Sequence, residues 1–177
     1  MEKDIKEIIL SQEEISNIAS RLGAQISKDY QGKELVIIGM LKGGIPFMME
    51  LIKNITIPCQ IDFMQISSYH GTKSSTVLFK KDIETDVSGK HVIVVDDIID
   101  TGKTTREVLK IFEGRYVASL EVACLLDKPS GRVVEYNPKY IGRIVPDAFV
   151  VGFGLDYNEY YRNLPFVGVL KEEFYKK

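Results

Sequence analysis

The chain is short of the residues that build clusters, cross-links and membrane spans. Only two cysteines, Cys59 and Cys124, occur in 177 residues. They lie far apart, in apolar surroundings and without metal-ligand spacing, so they read as buried thiols rather than as a disulfide or a metal site. The two histidines, His70 and His91, fall in a polar stretch and at a strand edge, and neither is assigned a role. No apolar run approaches the roughly 20 residues of a membrane span. The longest, near Leu35–Met40 and His91–Val95, are soon broken by Gly or Asp. Met1-Glu2-Lys3-Asp4 is charged where a secretory signal would turn apolar. A net charge of -2 leaves no excess of one sign to coat a nucleic acid. A cytoplasmic protein without nucleic-acid or membrane partners is expected.

What is present suits one folded domain over 1–177: 45% of residues are apolar and 27% charged, the balance of a chain with a core. Ser11-Gln12-Glu13-Glu14 has the capping-box spacing. Ile15, Ile18, Ala19, Leu22 and Ile26 then recur at helical spacing, with Gly32 available as a stop. Leu35-Val36-Ile37-Ile38 is a β-branched run without polar positions, the mark of a strand buried on both faces. A helix over Ile45–Lys53 follows, with Pro46 tolerated in its first turn. Ile61–Ser67 and Thr76–Lys80 alternate like strands, and the polar stretch Ser68–Ser75 between them reads as a mobile loop. His91–Val95 predicts a second doubly buried strand, Thr104–Phe112 a helix, and Leu120–Leu126 and Phe149–Val151 further strands. Strands alternating with helices predict an α/β domain around a parallel central sheet flanked by helices.

In such sheets ligands sit beyond the carboxyl ends of the strands. There the chain places Asp96-Asp97-Ile98-Ile99-Asp100-Thr101-Gly102-Lys103-Thr104-Thr105. The strand delivers two carboxylates, a third follows, and a hydroxyl-rich turn opens a helix whose first N–H groups suit phosphate. Carboxylates beside a phosphate site call for sugar hydroxyls or magnesium. A solvated acidic helix cap would explain the acids alone, but not their coincidence with a buried strand and a phosphate-type turn. A P-loop is excluded because Asp97 stands where its first glycine belongs. A dinucleotide fingerprint at Gly152-Phe153-Gly154 fails at Tyr157.

The segment Val92–Thr104 resembles the phosphoribosyl pyrophosphate motif of the type I phosphoribosyltransferases. Leu41-Lys42-Gly43-Gly44, Ser68-Tyr69 and the stretch Asp147–Pro165 narrow the likeness to the hypoxanthine-guanine phosphoribosyltransferase family. The likeness runs from about Leu35 to Leu170. It implies the type I fold with a small hood subdomain formed by the termini, mainly the C-terminal segment. The implied activity is transfer of 5-phosphoribosyl to N9 of hypoxanthine or guanine, giving IMP or GMP and pyrophosphate in purine salvage. Magnesium is the implied cofactor, and a homodimer or homotetramer the implied assembly.

The same resemblance assigns roles. Asp96 and Asp97 would meet the ribose hydroxyls directly or through magnesium, and Asp156 would hold a second ion. Family members commonly carry Glu where Asp96 stands, so this shorter side chain is expected to reach the ribose through metal or water. Thr101, Gly102, Lys103, Thr104 and Thr105 would hold the 5-phosphate, Lys103 mainly through its backbone. Asp100 would serve as general acid/base at N7 of the purine. Leu41, Lys42 and Gly43 would form the pyrophosphate loop, entered by a cis peptide, with Arg162 contributing a bidentate fork. Lys128 would donate to the 6-oxo group, Phe149 would stack on the base, and Val150 and Leu155 would read its edge through their backbones. Ser68 and Tyr69 would close over the site and exclude water. Tyr157, Tyr160 and Tyr161 are expected to pack rather than react. A regulator on the same fold that binds RNA or DNA is the competing class. It would want a basic face or an added DNA-binding segment, and neither is read here.

Overall fold

In the computed structural model the backbone is described for residues 1–70 and 75–176, and side chains for these residues apart from 67–70 and 75–78. Strand β1 (Ile5–Leu10) leads into helix α1 (Gln12–Asp29), then β2 (Leu35–Met40), α2 (Gly44–Ile52), β3 (Cys59–His70) and β4 (Ser75–Lys81). Next come β5 (His91–Ile99), α3 (Lys103–Glu113), β6 (Ser119–Asp127), β7 (Tyr140–Ile144), β8 (Val150–Val151) and β9 (Val167–Leu170). The central sheet has six strands in the order β4-β3-β2-β5-β6-β7, and β1-β9-β8 form a separate three-stranded antiparallel sheet. In the central sheet only β4 runs antiparallel to its neighbour.

The capping box of α1 is formed as its spacing predicts: Ser11 Oγ accepts from the Glu14 N–H, and the Glu14 carboxylate accepts from the Ser11 N–H at 2.8 Å. The all-apolar runs of β2 and β5 divide by alternation. Leu35, Ile37, Ile93 and Val95 pack with Ile15, Leu22, Phe47 and Leu51 of α1 and α2 on one sheet face. Val36, Ile38, Val92 and Val94 pack with Val108 and Phe112 of α3 on the other. Each such buried side chain contributes about 1.5–3 kcal/mol relative to exposure, which is why the runs Leu35–Ile38 and Val92–Val95 carry no polar residue.

Two expected boundaries move. The stretch read as a mobile loop, Ser68–Ser75, shrinks because pairing carries β3 to His70 and starts β4 at Ser75. Residues 71–74 lie outside the described residues. Strand β5 does not stop at Asp96 but continues to Ile99, because its ladder with β6 persists to Ile99↔Asp127. Its ladder with β2 ends at Gly39↔Val95. The end of β5 therefore projects past β2, with no strand neighbour on that side among the described residues.

Candidate active site

That projecting end lines a cleft of about 210 Å³ bounded by Asp96 to Gly102, Thr104 and Thr105. At its floor, α3 begins at Gly102 with no side chain capping its first turn. The nearest competitor, Thr101 Oγ1, lies 3.4 Å from the Lys103 N–H. Beyond this long bond, the N–H groups of the first turn have no side-chain cap among the described residues, the arrangement that suits an anion. Thr105 is buried there, while Thr101, Lys103 and Thr104 are exposed.

The two carboxylates at the strand end are held by their own backbone. Asp96 Oδ1 accepts from the Asp97 N–H at 3.0 Å, and Asp97 Oδ1 from the Ile98 N–H at 2.8 Å. Enclosure, reinforced by the neighbouring charge of Asp97, pushes the Asp96 carboxyl well above its ordinary range. Enclosure also raises Asp97, with Arg162 acting weakly in the opposite sense. Asp97 leans on the loop Leu41–Gly44 so closely that a Cβ on Gly43 would stand 1.8 Å from its Oδ2. Any side chain at position 43 would have to displace the Asp97 carboxylate. The peptide Leu41–Lys42 in that loop is cis.

The far side of the loop meets the segment between β8 and β9. A Cβ on Gly154, whose φ is +101°, would fall 2.1 Å from the Gly43 carbonyl oxygen. Arg162 donates to the Gly154 carbonyl at 2.7 Å and pairs with Asp156 at 2.8 Å and Glu159 at 3.3 Å. Its Nε is buried with no partner among the described residues. Lys42 pairs with Glu159 at 2.6 Å. The expected pyrophosphate residues, Lys42 and Arg162, are therefore brought together through one acidic side chain, Glu159, that sequence reasoning passed over.

On the β6 side, Lys128 Nζ lies 2.8 Å from Asp100 Oδ2 and 3.4 Å from Asp147 Oδ1, with its side chain only 13% exposed. It is not the solvated lysine that a strand end before proline ordinarily carries. Burial works against its charge, but the two carboxylates outweigh it and the ammonium is held above its usual range. Just before β8, Phe149 stacks on Tyr175 at 4.7 Å and meets Tyr157 edge-on at 5.6 Å. Val150 and Leu155 are buried beside it. Tyr161 is buried and donates to Asp4, whereas Tyr160 is 70% exposed. Ser68 and Tyr69 have their backbone in β3, and their side chains lie outside the described residues. His91 faces Tyr30 and Ser119, away from this cleft.

A mostly parallel sheet with helices on both faces, an acidic strand end leading into α3 and a separate three-stranded antiparallel sheet define a class, and residues 6–158 match the phosphoribosyl transferase domain family. The chain belongs to that family and has the type I phosphoribosyltransferase fold. Within it, the chain is 52% identical over 177 residues to the hypoxanthine-guanine phosphoribosyltransferase of Streptococcus pneumoniae, covering 99% of this chain and 98% of that protein. It is 49% identical to the Staphylococcus aureus protein of the same name, over 99% of both. A crystal structure of a hypoxanthine phosphoribosyltransferase from Staphylococcus aureus superposes with a TM-score of 0.96 at 49% identity, covering 100% of this chain and 97% of that one.

Proposed function

We propose that this protein salvages purines by moving 5-phosphoribosyl from phosphoribosyl pyrophosphate to hypoxanthine or guanine. The C1–pyrophosphate bond breaks, the C1–N9 bond forms, and the base gives up a proton. Asp100 is the general acid/base facing N7, where it takes or returns that proton. The observation that carries the reading is the Asp100–Lys128 contact of 2.8 Å beside the phosphate turn. It sets an acid/base carboxylate next to a cation able to donate to a 6-oxo group, within reach of one ring.

The remaining residues divide the substrate between them. The turn Thr101–Thr105 takes the 5-phosphate on its free amides and hydroxyls, and Asp96 and Asp97 take the ribose hydroxyls. Leu41, Lys42 and Gly43 take the pyrophosphate, joined by Arg162, whose unpartnered buried Nε is a donor in want of an acceptor. Phe149 supplies the stacking face for the base, and the Val150 and Leu155 backbones read its edge. Ser68 and Tyr69 close over the site.

The donor set fits magnesium. Among the described residues no three metal-binding side chains converge, which suits an ion held by one or two carboxylates and completed by substrate oxygens and water. Asp96 and Asp97 repel each other in an enclosed place and want a countercharge. They would hold one ion, and Asp156 a second. Bound magnesium would neutralise the departing pyrophosphate.

No helix among the described residues is long and apolar enough to cross a membrane. The cytoplasm is proposed as the protein's compartment from its two free thiols, Cys59 and Cys124, which suit a reducing environment. A homodimer or homotetramer is proposed from the α2 side of the sheet. There Ile45, Met49 and Ile52 share a helix face, with Met49 44% and Ile61 of β3 45% exposed. Light scattering of the purified protein checks it, and a monomer at working concentration would refute it.

The activity itself is tested by offering hypoxanthine, guanine, xanthine, adenine and uracil separately with phosphoribosyl pyrophosphate, with and without magnesium. Nucleotide from hypoxanthine or guanine, lost on chelation, is expected. Nucleotide from uracil or adenine alone would overturn the assignment.

A further inference from the structure

Strand β6 ends in a run of buried apolar residues and then, abruptly, in Asp127, which is 6% exposed. A carboxylate in such a place demands a cation. The cation is Arg132, whose side chain is 12% exposed and whose Nη2 donates to Asp127 Oδ1. The same guanidinium does three further things. Its Nε donates to the Asp100 carbonyl at 2.9 Å, its Nη2 to the Ile99 carbonyl at 3.3 Å, and its Nη1 to the Tyr136 carbonyl. Four acceptors from three separate segments converge on one planar, rigid fork.

The neighbouring backbone continues the brace. The Val133 and Val134 N–H groups both reach the Thr101 carbonyl, at 3.1 and 3.2 Å, and the Lys128 N–H reaches the Ile99 carbonyl at 2.9 Å. The chain on both sides of Asp100 is therefore tied to the segment that follows Lys128. Because the peptide unit is planar, fixing the Ile99 and Asp100 carbonyls fixes the direction in which the Asp100 side chain leaves the backbone. Lysine could not replace this arginine, since its point charge cannot span carbonyls and carboxylate together.

We propose that Arg132, charge-balanced by Asp127, is a positioning residue that aims the Asp100 carboxylate. It touches no reacting atom. The inference rests on the reading of Asp100 as the acid/base group, and it adds to that reading the means by which the carboxylate is held. Displacement of a reacting group by about 1 Å can cost on the order of 10²-fold in rate, so the effect is expected in turnover.

A double-mutant cycle on the full-length enzyme tests this, with kcat measured well below each variant's unfolding temperature. Arg132→Met should lower kcat by about 10²-fold in the parent background. On Asp100→Asn it should cost less than roughly threefold, because the group it aims is already gone. Equal losses in both backgrounds would overturn the proposal, as would no loss in the parent. An Asp100→Asn variant with full turnover would instead overturn the role of Asp100 itself, and the two failures are distinguishable. Should Arg132→Met not fold, Asp127→Asn combined with Arg132→Met enters the same cycle, since it leaves no buried carboxylate without its cation.

Discussion

Lys128 Nζ and Asp100 Oδ2 stand 2.8 Å apart, with Asp100 on the cleft wall, so each is the other's countercharge before any base arrives. The lysine is 13% and the aspartate 41% exposed, which leaves the carboxylate the more accessible partner. A 6-oxopurine entering between them would take a hydrogen bond from the lysine at its 6-oxo oxygen and present N7 to the carboxylate.

Removing the lysine's charge should therefore be felt in base binding first. Lys128→Met is expected to raise KM for hypoxanthine and guanine by roughly 10- to 100-fold, the range of a hydrogen bond to a charged group. KM for phosphoribosyl pyrophosphate should stay within about threefold, since the 5-phosphate and pyrophosphate contacts remain. Equal rises in both constants, from initial rates at varied substrate, would place Lys128 outside the base site.

Phe149 is backed by Tyr175 at 4.7 Å with the rings 21° from parallel. If that stack steadies the platform for the base, Tyr175→Ala should raise KM for the base by about 2- to 10-fold, the worth of one aromatic pair. Tyr175→Phe should restore it, because the ring and not the hydroxyl makes the contact. A loss that phenylalanine fails to repair would rule the stack out.

Stability has its own acid-sensitive point at Asp62, only 8% exposed. Burial raises this carboxyl, but N–H groups of Thr85, Phe63 and Glu84, at 2.7–2.8 Å, outweigh burial and hold it below its ordinary 3.8. A depressed carboxylate stabilises the fold above its unfolded value, and the contribution drains away as pH falls through the folded one. Asp62→Ala should thus cost about 1–3 kcal/mol at pH 7, and the difference from the parent should shrink in acid below 3.8. Urea melts at both pH values decide it. A gap that widens on acidification would reverse the sign.

Much of this molecule was legible in its residues. The Ser11 capping box, the unbroken runs of β2 and β5 and the acid-rich turn before α3 each declare themselves locally, because their signals lie within a few positions. Of the antiparallel sheet only β8 was legible, from the run Phe149–Val151. Strand β1 has no clean alternation, with Glu7 and Ile8 both exposed, and it exists because β9, far along the chain, pairs with it. Strand β8 is two residues long, Val150–Val151, and its partner β9 (Val167–Leu170) went unread. Strand β7, Tyr140–Ile144, gains its place from pairing with β6. Pairing likewise drew Ser68–His70 into β3, although their polar character reads as loop.

The site shows the same division. Asp96 to Thr105 form one contiguous motif in the sequence, and all but Lys103 line one cleft. Arg132 and Glu159 act through contacts set by folding, Arg132 on the carbonyls of Ile99 and Asp100, and Glu159 on Lys42. One signal could have found Arg132. An aspartate ending a doubly buried strand, as Asp127 does, requires a nearby cation, and Arg132 is the next arginine along the chain.

The most direct test of the account is turnover in Asp100→Asn at saturating phosphoribosyl pyrophosphate, magnesium and hypoxanthine. The carboxamide keeps the shape and can still meet Lys128, but it cannot exchange a proton with N7. A fall in kcat of about 10²–10⁴-fold is expected, with phosphoribosyl pyrophosphate still bound. Unchanged kcat would contradict the assignment of Asp100 and with it the mechanism built on the Asp100–Lys128 pair.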